Sequence, residues 1–512
     1  MKALNGRTSG TLLNISASLI GQVVGVLFTL IGRLIFLHIL GSEYLGLSGL
    51  FSNILTMLSL AELGVGPAIS YSLYKPLKKN DTEKIKTLMS LYRKAYWIVG
   101  ITILLLGLVF LPFYRLLIKE TPGINNLDLI FYLFVINTSI SYFFSYKKSI
   151  FTCDQKRYVV IIFRYSFFGL LQIIQACVLL ATSNYILYLV VQICTTFAEN
   201  LSISFYSNKK YPFLKEKNVS KLDKNEFLEI KKNVGAIMLH KVGGTVVNST
   251  DNLLLSKIFG LVVVGLYSNY LVIISALRTI IQQLFVSVVA SIGNLHVDND
   301  NEKQHDVFNK LFYGNFWICS FTTICLLILF NPFITIWVGD KYLLENNVVI
   351  AIALSFFLEN MRKTLIAFKE ATGVFYSDRY RPVVEAILNL GISIILARLF
   401  GIAGVFYGTA VASIATSWYE TMIVYREIFK IKMVDYYLRY SYYLIVTIVG
   451  YISTKYFCNF FDLGIGGFLV KIIVCIFIPN IIIILFTFMS PEFKYYFNLA
   501  NKVIRTFKNH VK

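Results

Sequence analysis

The chain has 512 residues, of which 56% are hydrophobic and only 15% charged, and 48 Lys and Arg against 28 Asp and Glu give a formal charge of +20. A soluble chain of this length covers its domains with charge at about 25% of residues, so a mean hydropathy of +0.67 excludes a soluble multidomain protein and global disorder alike. An all-α integral membrane protein is left, because helices satisfy every backbone group inside the bilayer. The positive excess, which in a soluble protein would point to nucleic acid, is here sorted by the membrane, and no nucleic-acid partner is expected. The seven cysteines form no CxxC and lie mostly in apolar runs, so they read as small buried hydrophobes and neither disulfides nor a metal site.

A spanning helix needs about 20 apolar residues to cross about 30 Å. Fourteen such runs follow one another at 11–39, 46–74, 93–113, 127–146, 158–181, 185–206, 234–256, 260–292, 311–336, 346–372, 382–400, 403–425, 436–457 and 464–489. The first is too long for a signal-peptide core and lacks a cleavage motif, so it reads as a retained span. With residue 1 inside, the inner segments carry 35 Lys and Arg and the outer segments 6. That bias predicts both termini in the cytoplasm and an even number of spans. No outer loop exceeds roughly 15 residues, and the longest inner segment, 207–233, carries eight lysines. Within it, Asp223 is expected to cap a short amphipathic helix through Phe227 and Ile230. The tail from Pro491 interleaves aromatic and apolar residues with Lys and Arg, as in a helix lying on an anionic leaflet or in a solvated tail.

The segment Ile39-Leu40-Gly41-Ser42-Glu43-Tyr44-Leu45-Gly46-Leu47-Ser48 matches Ile258-Phe259-Gly260-Leu261-Val262-Val263-Val264-Gly265-Leu266-Tyr267 at an offset of 219 residues. In each, one glycine closes a span and a second, five residues on, opens the next. Both copies start inside, so the repeat is parallel and its axis runs along the membrane normal. The predicted fold class is two six-helix bundles related by a pseudo-two-fold, plus a C-terminal helix pair. The expected organisation is 1–206 for the N-terminal lobe, 207–233 for a basic linker, 234–430 for the second lobe, 431–490 for the terminal pair and 491–512 for a basic tail.

Leu40-Gly41-Ser42-Glu43-Tyr44-Leu45-Gly46-Leu47, Glu62-Leu63-Gly64-Val65-Gly66, and Asn248-Ser249-Thr250-Asp251-Asn252 leading into Phe259-Gly260-Leu261-Val262-Val263-Val264-Gly265-Leu266-Tyr267-Ser268-Asn269-Tyr270 resemble, in that order, the Wzx-type polysaccharide flippases of the multidrug/oligosaccharidyl-lipid/polysaccharide exporter superfamily. The resemblance implies a non-enzymatic, monomeric flippase in the bacterial plasma membrane. Such a protein moves undecaprenyl-pyrophosphate-linked oligosaccharide units of capsule or O-antigen type to the outer leaflet by alternating access. It implies the bilayer and the polysaccharide polymerase machinery as partners. Two alternatives stay open: a cation-coupled drug antiporter of the same superfamily, and a membrane-embedded polysaccharide polymerase or ligase, which typically carries a large outer loop.

The physical task is severe, since a sugar hydroxyl loses about 4–8 kcal/mol on entering alkane. A hydrated passage is therefore required, with cations for the pyrophosphate. Seven cations fall within the spans: Arg33, Arg164, Lys241, Arg278, Arg362, Lys363 and Lys471. Each costs about 2.5–3.5 kcal/mol at mid-helix, so each needs a cavity, a partner or a route to the head groups. Lys241 and Arg278 are the expected inner-half substrate site, with Arg33 further out; the resemblance puts these three on cavity-lining helices. Arg362 and Lys363 are expected to pair with Glu359, three and four residues earlier, and Arg164 and Lys471 read as structural. Glu62, before Gly64 and Pro67, marks a bend attributed to the proline. Asp251 either binds Na⁺ or H⁺ or pairs with a cavity cation. The resemblance to lipid II flippases adds Asn389, Ser393 and Thr409 as coupling-site matches, without a second acid. With no ion coupled, the membrane potential would favour outward movement of a negative charge by about 2.3 kcal/mol per 100 mV. No P-loop, HExxH or dinucleotide fingerprint is present, and no cofactor is expected.

Overall fold

The structure, a computed structural model, describes residues 6–511 except 63, 120–122, 217–221, 298–299, 373, 375–376, 379 and 462–463; the side chains of some helical residues, Lys241 and His240 among them, also lie outside the described residues. The described residues are overwhelmingly helical and contain no strand. Helices α1 (Gly6–Ile39), α2 (Gly41–Leu58), α3 (Val65–Lys79), α4 (Thr82–Phe110), α5 (Leu127–Phe143), α6 (Tyr146–Cys153), α7 (Arg157–Thr182), α8 (Tyr185–Lys210), α9 (Lys224–Phe259) and the start of α10 (Leu261–Val297) form one compact unit, Met1–Val272. The rest of α10, α11 (Asn301–Trp337), α12 (Asn346–Met361), α13 (Lys363–Thr372), α14 (Arg381–Phe400), α15 (Ile402–Ile423), α16 (Val434–Cys458), α17 (Ile465–Thr487) and α18 (Pro491–Val511) form a second, Ile273–Lys512.

Each of the fourteen apolar runs falls on a helix or a broken helix pair. Among the described residues, eight helices are long and apolar enough to cross a bilayer singly, and α5 with α6, bent by 46°, makes a ninth candidate. The chain is a multi-span membrane protein. On α1, Val23, Leu27, Ile31 and Leu34 form an exposed apolar stripe suited to lipid, while Gly21 and Gly25 admit the ring of Tyr165 on α7.

Several expectations are corrected. The second run breaks at Gly64, whose φ of +100° an L side chain rarely adopts and where a methyl group would lie 2.4 Å from the Val234 carbonyl oxygen. Pro67 is not the cause, because it falls in the first turn of α3, where its missing N–H needs no partner, and Ala68 N–H already reaches Gly64 O at 3.0 Å. Asp223 precedes the 36-residue α9, with no separate short helix, and its side chain makes no capping hydrogen bond. Ile230 is buried in the core that α3, α4 and α6 build around Leu73, Tyr92 and Phe151, whereas the Phe227 side chain lies outside the described residues. Cys177 and Cys194 are exposed, so the buried reading holds for Cys153, Cys319, Cys458 and Cys475 and fails for these two.

In the second unit α11 packs against α12, α16 and α17. Phe316 stacks on Tyr443 with ring centroids 4.1 Å apart. The tenth run breaks at Arg362, between α12 and α13, and Asn315 on α11 holds the break by donating to the carbonyls of Asn360 and Met361 at 2.9 and 3.2 Å. The tail is the helix α18, anchored by Arg439 to the buried Glu492 and exposing Tyr495, Phe497 and Leu499.

Candidate functional site

The repeated glycines meet. A methyl group on Gly46 would lie 1.8 Å from the Leu261 carbonyl oxygen, and one on Gly265 would lie 2.1 Å from that of Ser42. Each glycine thus faces the residue four before the other, which is the reciprocity of a local two-fold contact. The first glycine of each copy has positive φ, +82° at Gly41 and +95° at Gly260, and turns the chain from one helix into the next. The crossing brings the starts of α2 and α10 together.

One turn beyond Gly265, Asn269 is fully buried and its side-chain oxygen accepts from Arg33 Nη1 at 3.5 Å. The Asn269 Nδ2 has no hydrogen-bond partner among the described residues. Tyr188 lies close to Arg33 and stacks with Tyr185. No carboxylate among the described residues pairs with Arg33. A guanidinium and an orphaned amide N–H₂ therefore sit side by side, two donor groups and no counter-charge, which is what recognition of a phosphate oxygen needs.

Glu62 ends the short 3₁₀ turn Ser59–Glu62 and accepts a hydrogen bond from Tyr96 on α4, with Tyr142 on α5 also close. It opens on a polar cavity of about 380 Å³ whose lining includes Ser52, Ser59, Asn137, Gln192 and Thr245. Asn137 Oδ1 has no partner there. Lys241 precedes Thr245 by four residues on α9, but its side chain lies outside the described residues. Asp251, half-buried between buried Thr250 and Asn252, already has a polar or electrostatic partner.

In the second unit the cations are arranged otherwise. Arg278 forms an ion pair with Glu359, so Glu359 does not serve Arg362 as its spacing suggested. The helix break at Arg362 removes the i, i+3 geometry, and Arg362 turns to Glu385 and to Glu420, 2.9 Å from its Nε, and to the Ser413 hydroxyl at 3.0 Å. Lys363 keeps electrostatic reach of Glu359 but donates to Gln282 Oε1 at 2.8 Å. Glu420 also binds Lys369, which reaches Asp378, and Arg381 joins Asp378 to Glu385. Among the described residues, these three cations and three carboxylates form a charge-balanced, largely buried network. Asn389, Ser393 and Thr409 are brought together and buried: Asn389 donates to Thr409 Oγ1 at 2.8 Å and Ser393 to the Val405 carbonyl at 2.9 Å. Their hydrogen bonds tie α14 to α15.

No protein-family profile matches the sequence, and no curated protein matches it. Solved structures do. The lipid II flippase MurJ in an inward closed conformation is 16% identical over 93% of this chain and 98% of its own, with a TM-score of 0.66. An inward-facing multidrug resistance MATE family transporter of the MOP superfamily is 15% identical over 81% of this chain and 98% of its own, at 0.65. A Vibrio cholerae MATE transporter, VcmN, is 14% identical over 83% and 100%, at 0.58. The chain has the fold of MOP-superfamily transporters. At these identities the likeness establishes the fold and leaves the substrate to the side chains.

The sequence pattern did not single out Asn269, Tyr96 or Tyr142. Asn269 stood in the quoted motif as an unexplained asparagine within an apolar run, and that misfit was the available signal. Tyr96 and Tyr142 stand 34 and 80 residues from Glu62 in a chain with 33 tyrosines, where nothing in the pattern marks them.

Proposed function

We propose that this protein moves a lipid-linked oligosaccharide, carried on a polyprenyl diphosphate, from the inner to the outer leaflet of a bacterial plasma membrane. Both termini lie in the cytoplasm in this reading, as the Lys and Arg bias suggests. The observation that carries it is the Arg33–Asn269 pair, an intramembrane cation with a neutral partner and an unused amide donor beside it. An Arg at this depth costs about 2.5–3.5 kcal/mol, and a bound diphosphate would supply the counter-charge that no carboxylate among the described residues provides. Lys241, four residues before Thr245 in the sequence, is kept as a second candidate cation for the diphosphate. Arg278, in the second unit, is a further candidate cation, held by Glu359 in this structure. Alternating access exposes this route to each leaflet in turn, and the membrane potential assists the outward step. If the cycle is ion-coupled, Asp251 in the first unit is the candidate acid, and Asn389, Ser393 and Thr409 in the second are candidate polar ligands. No covalent step is involved.

The experiment is depletion of the protein followed by identification of the lipid-linked intermediate that accumulates on the inner leaflet. Complementation with Arg33→Ala, at equal membrane levels, should restore less than about a tenth of wild-type export, since a charge-assisted hydrogen bond is lost. Full export by that variant rejects the assignment. A second reading, export of cationic drugs, has its own support in the Glu62 cavity, where a carboxylate and two tyrosine rings suit a cation. Drug resistance lost in Glu62→Gln but kept in Arg33→Ala would favour it.

A further inference from the structure

At the basic end of the first unit, α4, α6, α8 and the 3₁₀ turn Pro212–Lys215 enclose a second cavity of about 500 Å³, within the ~300–1,000 Å³ of small-ligand sites. Four of its lining residues are cationic, Lys86, Arg93, Lys147 and Lys215, against one carboxylate, Glu216. Lys86 is already matched by Glu216 at 2.7 Å and by Glu83. Arg93 and Lys147 are not matched. Lys147 donates to the Ser204 hydroxyl at 2.8 Å and to Asn208 Oδ1 at 2.9 Å, both neutral. Arg93 reaches the hydroxyl of the buried Tyr146, also neutral, and lies near enough to Lys147 to repel it. Two like charges held together against one wall, with no carboxylate among the described residues to separate them, form a site that gains from an anion.

A hollow of about 410 Å³ continues from Arg93 past Lys94, Trp97 and Ile98. Trp97 is 47% exposed and packs against Phe143, and Ile98 is 64% exposed. The lining therefore changes within one turn of α4 from cationic and hydroxyl-bearing to apolar, with a tryptophan at the join, as at a bilayer interface.

We infer that this pocket is a binding site for an anionic phospholipid, whose phosphate lies between Arg93 and Lys147 and whose acyl chain runs along Trp97 and Ile98. The lipid bridges α4 to α6 and α8 and screens the Arg93–Lys147 repulsion, so it acts as a structural ligand of the first unit. The site is separate from the Arg33–Asn269 pair, and its test reads lipid bound, so the transport reading can stand or fall independently.

Purified full-length protein in mild detergent is incubated with phosphatidylglycerol or with phosphatidylcholine at equal concentration, and bound lipid is counted by native mass spectrometry. Wild-type protein should retain phosphatidylglycerol preferentially. Retention should fall about ten-fold in Arg93→Gln/Lys147→Gln. It should persist in the charge-retaining Arg93→Lys/Lys147→Arg and in Lys78→Gln/Lys79→Gln, which removes the same charge from the exposed end of α3. Trp97→Ala should weaken phosphatidylglycerol binding and leave inorganic phosphate unaffected. Equal loss in the Lys78/Lys79 control would reduce the effect to net charge and overturn the site. Undiminished binding by Arg93→Gln/Lys147→Gln would overturn it directly. Full displacement of the lipid by millimolar inorganic phosphate would make the occupant a free anion and overturn the lipid assignment.

Discussion

Glu420 is the sharpest test of the electrostatics that hold the second unit. Its side chain is 0% exposed, and its two oxygens serve Arg362 Nε at 2.9 Å and Lys369, with Arg381 at 3.7 Å. Glu420→Gln keeps the shape but removes the negative charge, leaving three cations against Asp378 and Glu385 in a buried site. Breaking a buried pair in this way costs about 3–5 kcal/mol, because the surviving charge is neither hydrated nor matched. For a unit of 150–250 residues that is a fall in Tm of about 6–20 °C, at roughly 2–4 °C per kcal/mol. Lys369→Met alone also unbalances the network, whereas Glu420→Gln with Lys369→Met restores neutrality. The double variant should therefore be more stable than the sum of the single losses by about 0.5–3 kcal/mol. The assay is thermal unfolding of the purified full-length protein, followed by tryptophan fluorescence, for the wild type and the three variants. Additive losses, or a Glu420→Gln variant that melts with the wild type, would refute the claim that these six groups form one neutral unit.

Gly46→Ala and Gly265→Ala should each lower thermal stability by about 1–3 kcal/mol or more, because each added methyl group meets a backbone carbonyl that cannot step aside. Reciprocity predicts similar losses, and the doubly substituted chain should lose less than twice as much, since the first clash already separates the helices. Asn315→Ala should cost about 1–3 kcal/mol in the same assay by orphaning the two carbonyls at the α12–α13 break. Asp81 caps α4 by accepting from the Lys84 N–H at 3.0 Å, so Asp81→Ala should cost about 1 kcal/mol, and faster amide exchange in the first turn of α4 would report it.

The helices were legible because the bilayer demands long apolar runs, and nothing else in a chain of this composition produces fourteen of them. The glycine repeat was legible for a local reason: a positive-φ turn and a close helix crossing both exclude side chains, so the same two positions stay glycine in both copies. Partners distant along the chain were not legible. Glu359 stood at ideal helical spacing from Arg362 and Lys363, and only the break held by Asn315 shows why that spacing fails. Arg362 finds Glu385 and Glu420 at 23 and 58 residues' remove, and periodicity says nothing about contacts between helices. At Gly64 the proline three residues later was the louder signal, yet a proline in a first turn loses no hydrogen bond, so the glycine had to carry the bend.

What separates these cations is whether their charge is already spent. Among the described residues, Arg362, Lys369 and Arg381 face three carboxylates, and an anion would have to break those ion pairs to reach them. Arg278 is ion-paired with Glu359, so an anion approaching it meets that carboxylate first. Arg33 faces an asparagine oxygen, and a ligand would add a partner without displacing an acid. On the proposed function, an anion therefore binds at Arg33 at lower cost than at Arg278. On that reading, Arg33→Ala should weaken binding of a diphosphate lipid to the purified protein more than Arg278→Ala does, and equal losses would refute the ranking. Glu359→Gln should loosen the Arg278 pair without any substrate, and a fluorophore placed beside Gln282 would report it.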